Sequence, residues 1–98
     1  MEVRYKNNRL KKICTQPEAA RKEYGREMAR KISKCIDQLT AADSVEMMVR
    51  FHIGRCHPLT GNRQGQYAMD LVQPYRLVFI KTGNEIQIAE VWEIVDYH

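Results

Sequence analysis

Residues 86 to 95 form the stretch that most limits what this chain can fold into. Read with the period of two that a strand imposes, they are apolar on both faces. Ile86, Ile88, Trp92 and Ile94 fall on one side, Ala89, Val91 and Val95 on the other. Such a strand belongs at the centre of a sheet or beneath a helix, because both its faces need cover. The first half of the chain supplies that cover. The expected architecture is α+β, with N-terminal helices packed on one face of an antiparallel β-sheet. The 98 residues make one domain, 1–98, with a single modest core.

Val3 and Tyr5 alternate with charged residues and predict a short first strand. Asn7 or Asn8 can cap a helix through Leu10 and Ile13. Pro17 suits the first turn of a second helix. From there Ala20, Tyr24, Met28, Ile32, Ile36 and Leu39 make a stripe at near-helical spacing, with Arg21, Arg26, Arg30, Lys34 and Asp37 opposite. The stripe reads as core, and Gly25 as a kink or a break between two helices. Ser44 or Asp43 can cap a brief helix through Met48. Residues 66 to 72, 75 to 82 and 85 to 95 then read as strands, joined as hairpins by Gln73-Pro74 and Thr82-Gly83-Asn84.

The net charge of +4 is uneven. Basic residues crowd positions 4 to 34, whereas Glu85, Glu90, Glu93 and Asp96 make the end acidic. A basic half suits nucleic acid or an acidic protein, and equally a set of solvated helix surfaces. No apolar run approaches the roughly 20 residues that span a bilayer, and the first residues lack the apolar core of a secretory signal. A cytoplasmic protein is expected, with no membrane partner. Cys14, Cys35 and Cys56 are then expected as reduced thiols. Cys56 and His57 are adjacent, but neither CxxC nor HxxxH spacing accompanies them, so no metal and no cofactor is expected.

Four clusters in the second half carry groups capable of chemistry: residues 55 to 59, the polar loop 60 to 65, residues 75 to 79, and the final Asp96-Tyr97-His98. Arg76 opens a strand of Leu77, Val78, Phe79 and Ile80. A guanidinium there must be paired, as with Asp70 on the neighbouring strand, or must point into a concavity that suits a phosphate. His57 or His98 alone would be an ordinary surface histidine. Together with Arg76, Asp96 and Tyr97 they are the groups that RNA strand scission uses. One removes the proton of the ribose 2'-OH, one protonates the leaving 5'-oxygen, and a cation steadies the phosphate. The 2'-OH is itself the nucleophile.

The order His57-Pro58-Leu59, Gly61-Asn62-Arg63, Gly65, then Tyr75-Arg76-Leu77-Val78-Phe79 and a terminal Asp96-Tyr97-His98 resembles HigB toxins of the RelE/ParE superfamily. The segment Ala20 to Gly25 and the helix to Leu39 extend the resemblance over nearly the whole chain. Thr60 stands where many relatives carry lysine, and Gln66-Tyr67 where an aromatic pair is common. The resemblance implies a RelE-like fold and the toxin of a type II toxin–antitoxin system, an endoribonuclease cleaving mRNA in the ribosomal A site without metal. His57 and His98 would transfer protons and Asp96 would support the base. Tyr97 would stack on a base or orient the phosphate, and Arg76 would hold the scissile phosphate. Arg55 and Arg63 would touch the RNA backbone. The implied partners are a HigA-like helix-turn-helix antitoxin, the 70S ribosome with its mRNA, and operator DNA for the toxin–antitoxin complex. The rival within the same fold is a ParE-like toxin that inhibits DNA gyrase and has no use for these residues. A small DNA-binding protein is a third reading, and it expects a recognition helix where this sequence reads as sheet.

Overall fold

The computed structural model describes residues 1 to 83 and 86 to 96. Strand β1 (Glu2–Tyr5) leads into α1 (Asn8–Thr15), whose first turn is capped by the Asn7 side chain accepting from the Leu10 N–H at 2.9 Å. Pro17 opens α2 (Pro17–Tyr24). Gly25, at φ +91° and ψ 170°, then breaks the helical run in a conformation that only glycine adopts without strain. The single predicted stripe is thus carried by two helices, α2 and α3 (Arg26–Ala41). Ser44 caps α4 (Val45–Arg50), accepting from Met47 N–H at 3.1 Å.

The remaining strands are β2 (His57–Pro58), β3 (Gln66–Asp70), β4 (Tyr75–Thr82) and β5 (Ile88–Asp96). They make a five-stranded sheet in the order β1-β5-β4-β3-β2. Strands β2 to β5 are antiparallel, and both expected hairpins are present. Strand β1 joins β5 in parallel, so the sheet is mixed. That pairing gives β5 a neighbour on each side, which is what its apolar sequence demands.

Helices cover one face. Leu10, Ile13, Ala20, Met28, Ile32, Leu39, Val45 and Met48 meet Met69, Leu77, Phe79, Ala89 and Val91 in one core. Tyr24 and Ile36, the remaining stripe residues, are half-buried against it. Alternation along β5 does not persist to its end. Phe79 is opposite Val91 but Val78 is opposite Glu93, so Trp92 is the extra residue of a β-bulge. The bulge shifts Ile94 onto the core side with Ala89 and Val91, opposite buried Leu77. The expected grouping of Ile94 with Trp92 fails for that reason, and Ile86 lies outside the strand, 76% exposed.

All three cysteines are free and buried. Burial pushes the Cys14 and Cys56 thiols up to about 12 and the Cys35 thiol up to about 11, from an ordinary 9.0. The folded state therefore holds these protons at pH values where the unfolded chain has lost them. Stability is full below about pH 9 and falls as pH rises toward 11, by up to about 1.4 kcal/mol per pH unit for each thiol. Denaturant melts across that range are expected to show the fall, and Cys35→Ala to flatten it. Native protein at neutral pH is expected to resist iodoacetamide and to react fully once unfolded.

Candidate active site on the open face of the sheet

No described helix covers the other face of the sheet. Register places Ala68, Val78 and Glu93 side by side there, with Asp70, Arg76 and Val95 in the next row. Ala68 and Val78 are fully buried yet stand apart from the helical core. They form an apolar floor beneath polar side chains. His57 on β2 is opposite Ala68 and so sits on this floor. Cys56, one residue earlier, is buried in the core. Adjacent in sequence, the two side chains serve opposite faces, so they do not form a joint site.

Arg76 and Asp70 are directly cross-strand, with Nε and Oδ1 3.7 Å apart. The second carboxylate oxygen, Oδ2, meets Arg55 Nε at 3.0 Å. The Asp70 side chain is only 13% exposed, so two guanidinium groups flank a largely desolvated carboxylate. Arg76 Nη1 also reaches His57 Nε2 at 3.4 Å, and His57 Nδ1 lies 2.9 Å from the Arg55 carbonyl oxygen. These two contacts fix the tautomer. A carbonyl can only accept, so Nδ1 carries the proton. A guanidinium can only donate, so Nε2 presents its lone pair.

The backbone before His57 is unusual. His52 (φ +54°) and Arg55 (φ +56°) are left-handed although neither is glycine, and Gly54 between them is at φ +59°. They frame a 3₁₀ turn, Ile53–Arg55, closed by Arg55 N–H donating to the His52 carbonyl at 3.0 Å. A Cβ on Gly54 would come within 2.6 Å of Met69 Cε and 2.9 Å of Gln38 Oε1. The turn is thus pressed onto the protein body, and strain of this kind gathers at functional sites. His52, Arg55, His57, Asp70 and Arg76 together line a cavity of about 440 Å³.

Of the residues singled out in the sequence, His57, Arg76 and Arg55 meet in this cavity. Arg63 is on the same face, beyond the cavity, ion-paired with Glu93 and donating to Gln66 Oε1 at 3.1 Å. Asp96 is exposed and directly opposite Tyr75, whose ring packs edge-on against Tyr24 of α2. Alternation puts Asp96 on the helical side of the sheet, whereas Arg76, opposite Val95, faces the open side. Tyr97 and His98 lie outside the described residues. His52 was not singled out in the sequence, and Asp70 figured there only as a structural partner. The available signal was the short spacing of His52, Gly54, Arg55 and His57 around one turn.

No protein-family model matches the sequence, and no curated protein matches it. A solved structure of similar fold is a YoeB/ParE toxin from Agrobacterium tumefaciens, with TM-score 0.64 and 17% sequence identity over the whole of both chains. At that identity the likeness establishes the fold. It is the α+β arrangement expected from the sequence.

Gly54→Ala tests the turn. The left-handed conformation costs an alanine about 1 kcal/mol, which in a domain of this size lowers Tm by roughly 4–8 °C. Thermal melts by circular dichroism are the measurement. An unchanged Tm would mean that the turn is free to relax.

Proposed function

We propose that this protein is the toxin of a type II toxin–antitoxin pair and acts as a metal-independent endoribonuclease on mRNA in the ribosomal A site. The observation that carries the reading is His57, with its Nδ1 against the Arg55 carbonyl and its Nε2 facing the Arg76 guanidinium in a cationic cavity. An imidazole oriented in this way can serve as a general base through Nε2. The fold shared with a YoeB/ParE toxin supports the same class.

In the proposed step, His57 Nε2 takes the proton of the ribose 2'-OH as the 2'-oxygen attacks phosphorus. Arg76 swings its Nη1 from the imidazole to a phosphate oxygen, and Arg55 adds a second positive charge at the rim. The bond from phosphorus to the 5'-oxygen breaks, and that oxygen takes a proton, leaving a 2',3'-cyclic phosphate and a 5'-OH. With His57 as the base, His98, the other proton-transfer residue that the resemblance implies, would supply this last proton, and Tyr97 would stack on a base or orient the phosphate. The resemblance also gives Asp96 a role in supporting the base. A HigA-like antitoxin would neutralise the protein in the cytoplasm, and the complex would bind operator DNA. The alternative, a ParE-like gyrase inhibitor, leaves the tautomer-locked His57 without a task.

Induced expression followed by primer extension on translated messages is expected to show new 5' ends with the intact chain. With His57→Ala or Arg76→Ala these ends should fall by about 10²- to 10⁴-fold, the usual range for one proton-transfer or charge-stabilising group. Growth arrest without new ends would sink the nuclease reading and direct attention to gyrase.

A further inference from the structure

The cavity holding His57 and Arg76 does not stop at Asp70. His52, Arg55 and Asp70 also line a second cleft of about 340 Å³, whose far wall is α3, with Lys31, Lys34 and Gln38. The two spaces therefore share one edge, formed by His52, Arg55 and Asp70. Asp70 is the only acid lining the cleft among the described residues, and its carboxylate is already held by Arg55 and Arg76. Lys31 and Lys34 form no ion pair among the described residues. They are three positions apart on one helix and hence side by side, so their charges repel; the helix's nearest acids, Glu27 and Asp37, lie one turn to either side and do not line the cleft. An anion seated in the cleft would remove that repulsion. On the other side of His57, Arg63 is paired with Glu93, so that flank offers no comparable excess of charge.

We propose that this cleft is a binding subsite for the RNA strand flanking the cleaved bond, with Lys31 and Lys34 contacting phosphates of neighbouring nucleotides. The inference rests on the endoribonuclease reading. A strand whose scissile phosphate lies at Arg76 must leave the cavity somewhere, and a polyanion leaves by the mouth that is positive. His52 and Arg55, fixed by the strained turn, stand at the junction and guide the strand from one space to the other. An acidic protein segment would satisfy the same charges, but nothing would require it to be continuous with the His57 cavity.

The test is fluorescence anisotropy with end-labelled 2'-O-methyl RNA, which cannot be cut, as a trinucleotide and as a nonanucleotide. The Lys31→Ala/Lys34→Ala double variant is expected to bind the nonanucleotide about tenfold more weakly. The slope of log Kd against log salt should fall by about 1.4, for two phosphate contacts at roughly 0.7 each. The trinucleotide, which reaches little beyond the nucleotides at the scissile bond, is expected to bind the variant and the parent alike. Equal losses for both lengths, or none for either, overturn the inference alone. So does displacement of the nonanucleotide by polyglutamate as readily as by unlabelled RNA of equal charge. A parent protein that binds neither length also overturns the inference, whereas the endoribonuclease reading stands or falls on the new ends in translated messages.

Discussion

The Asp70 carboxylate is the fixed point on which the open face depends. A carboxylate so little exposed must be answered by cations, and Arg55 and Arg76 answer it from opposite sides. The consequences run further than charge balance. The Arg55 side chain reaches Asp70 from a left-handed turn that backbone hydrogen bonds close, with its carbonyl directed at His57 Nδ1. That carbonyl places the imidazole proton and leaves Nε2 bare. Arg76 is held beside that bare nitrogen by the same carboxylate. One acid thus orients two guanidiniums and, through one of them, a histidine, all on strands and a pinned turn.

The β5 bulge makes the two-faced sheet possible. Were Trp92 in regular register and not bulged, strict alternation would bring Glu93 to the side of Val91 and into the helical core. With it, Val91 and Ile94 both serve the core, and Glu93 emerges on the open face to meet Arg63. Trp92 is taken up nearby, its indole N–H donating to Glu90 at 2.6 Å and its ring beneath the Lys6 ammonium. The helical core and the polar face are therefore separated by one residue of register.

Much of this was legible from the residues, and the parts that were not share a cause. The caps at Asn7 and Ser44, the Gly25 break and the hairpins are local, and local chemistry specifies them. The bulge and the parallel placement of β1 are non-local, decided by which register buries the most apolar surface. Within the site, Arg76 could be read because a guanidinium in an apolar strand demands an explanation. Both answers weighed for it hold at once: it pairs with Asp70 and it faces a cavity. His52 carried no such signal, because its importance lies in a backbone angle that composition does not encode. Asp96 was read with its neighbours in sequence, and the register adds what the sequence could not show, that it follows Val95 onto the other side of the strand.

The distribution of charge separates two tasks that the sequence shows only as a basic half. Within the open face each cation is held by an acid: Arg55 and Arg76 share the single charge of Asp70, and Arg63 pairs with Glu93. Along α3, Arg26, Arg30, Lys31 and Lys34 have no ion-pair partner among the described residues. Matched cations are directional and hold geometry over short distances. Unmatched ones set the long-range field, which draws a polyanion toward the molecule and weakens as salt screens it. Attraction is thus assigned to the helices and orientation to the sheet. The cleft between α3 and the 3₁₀ turn, where Lys31 and Lys34 face Arg55, is where the two meet.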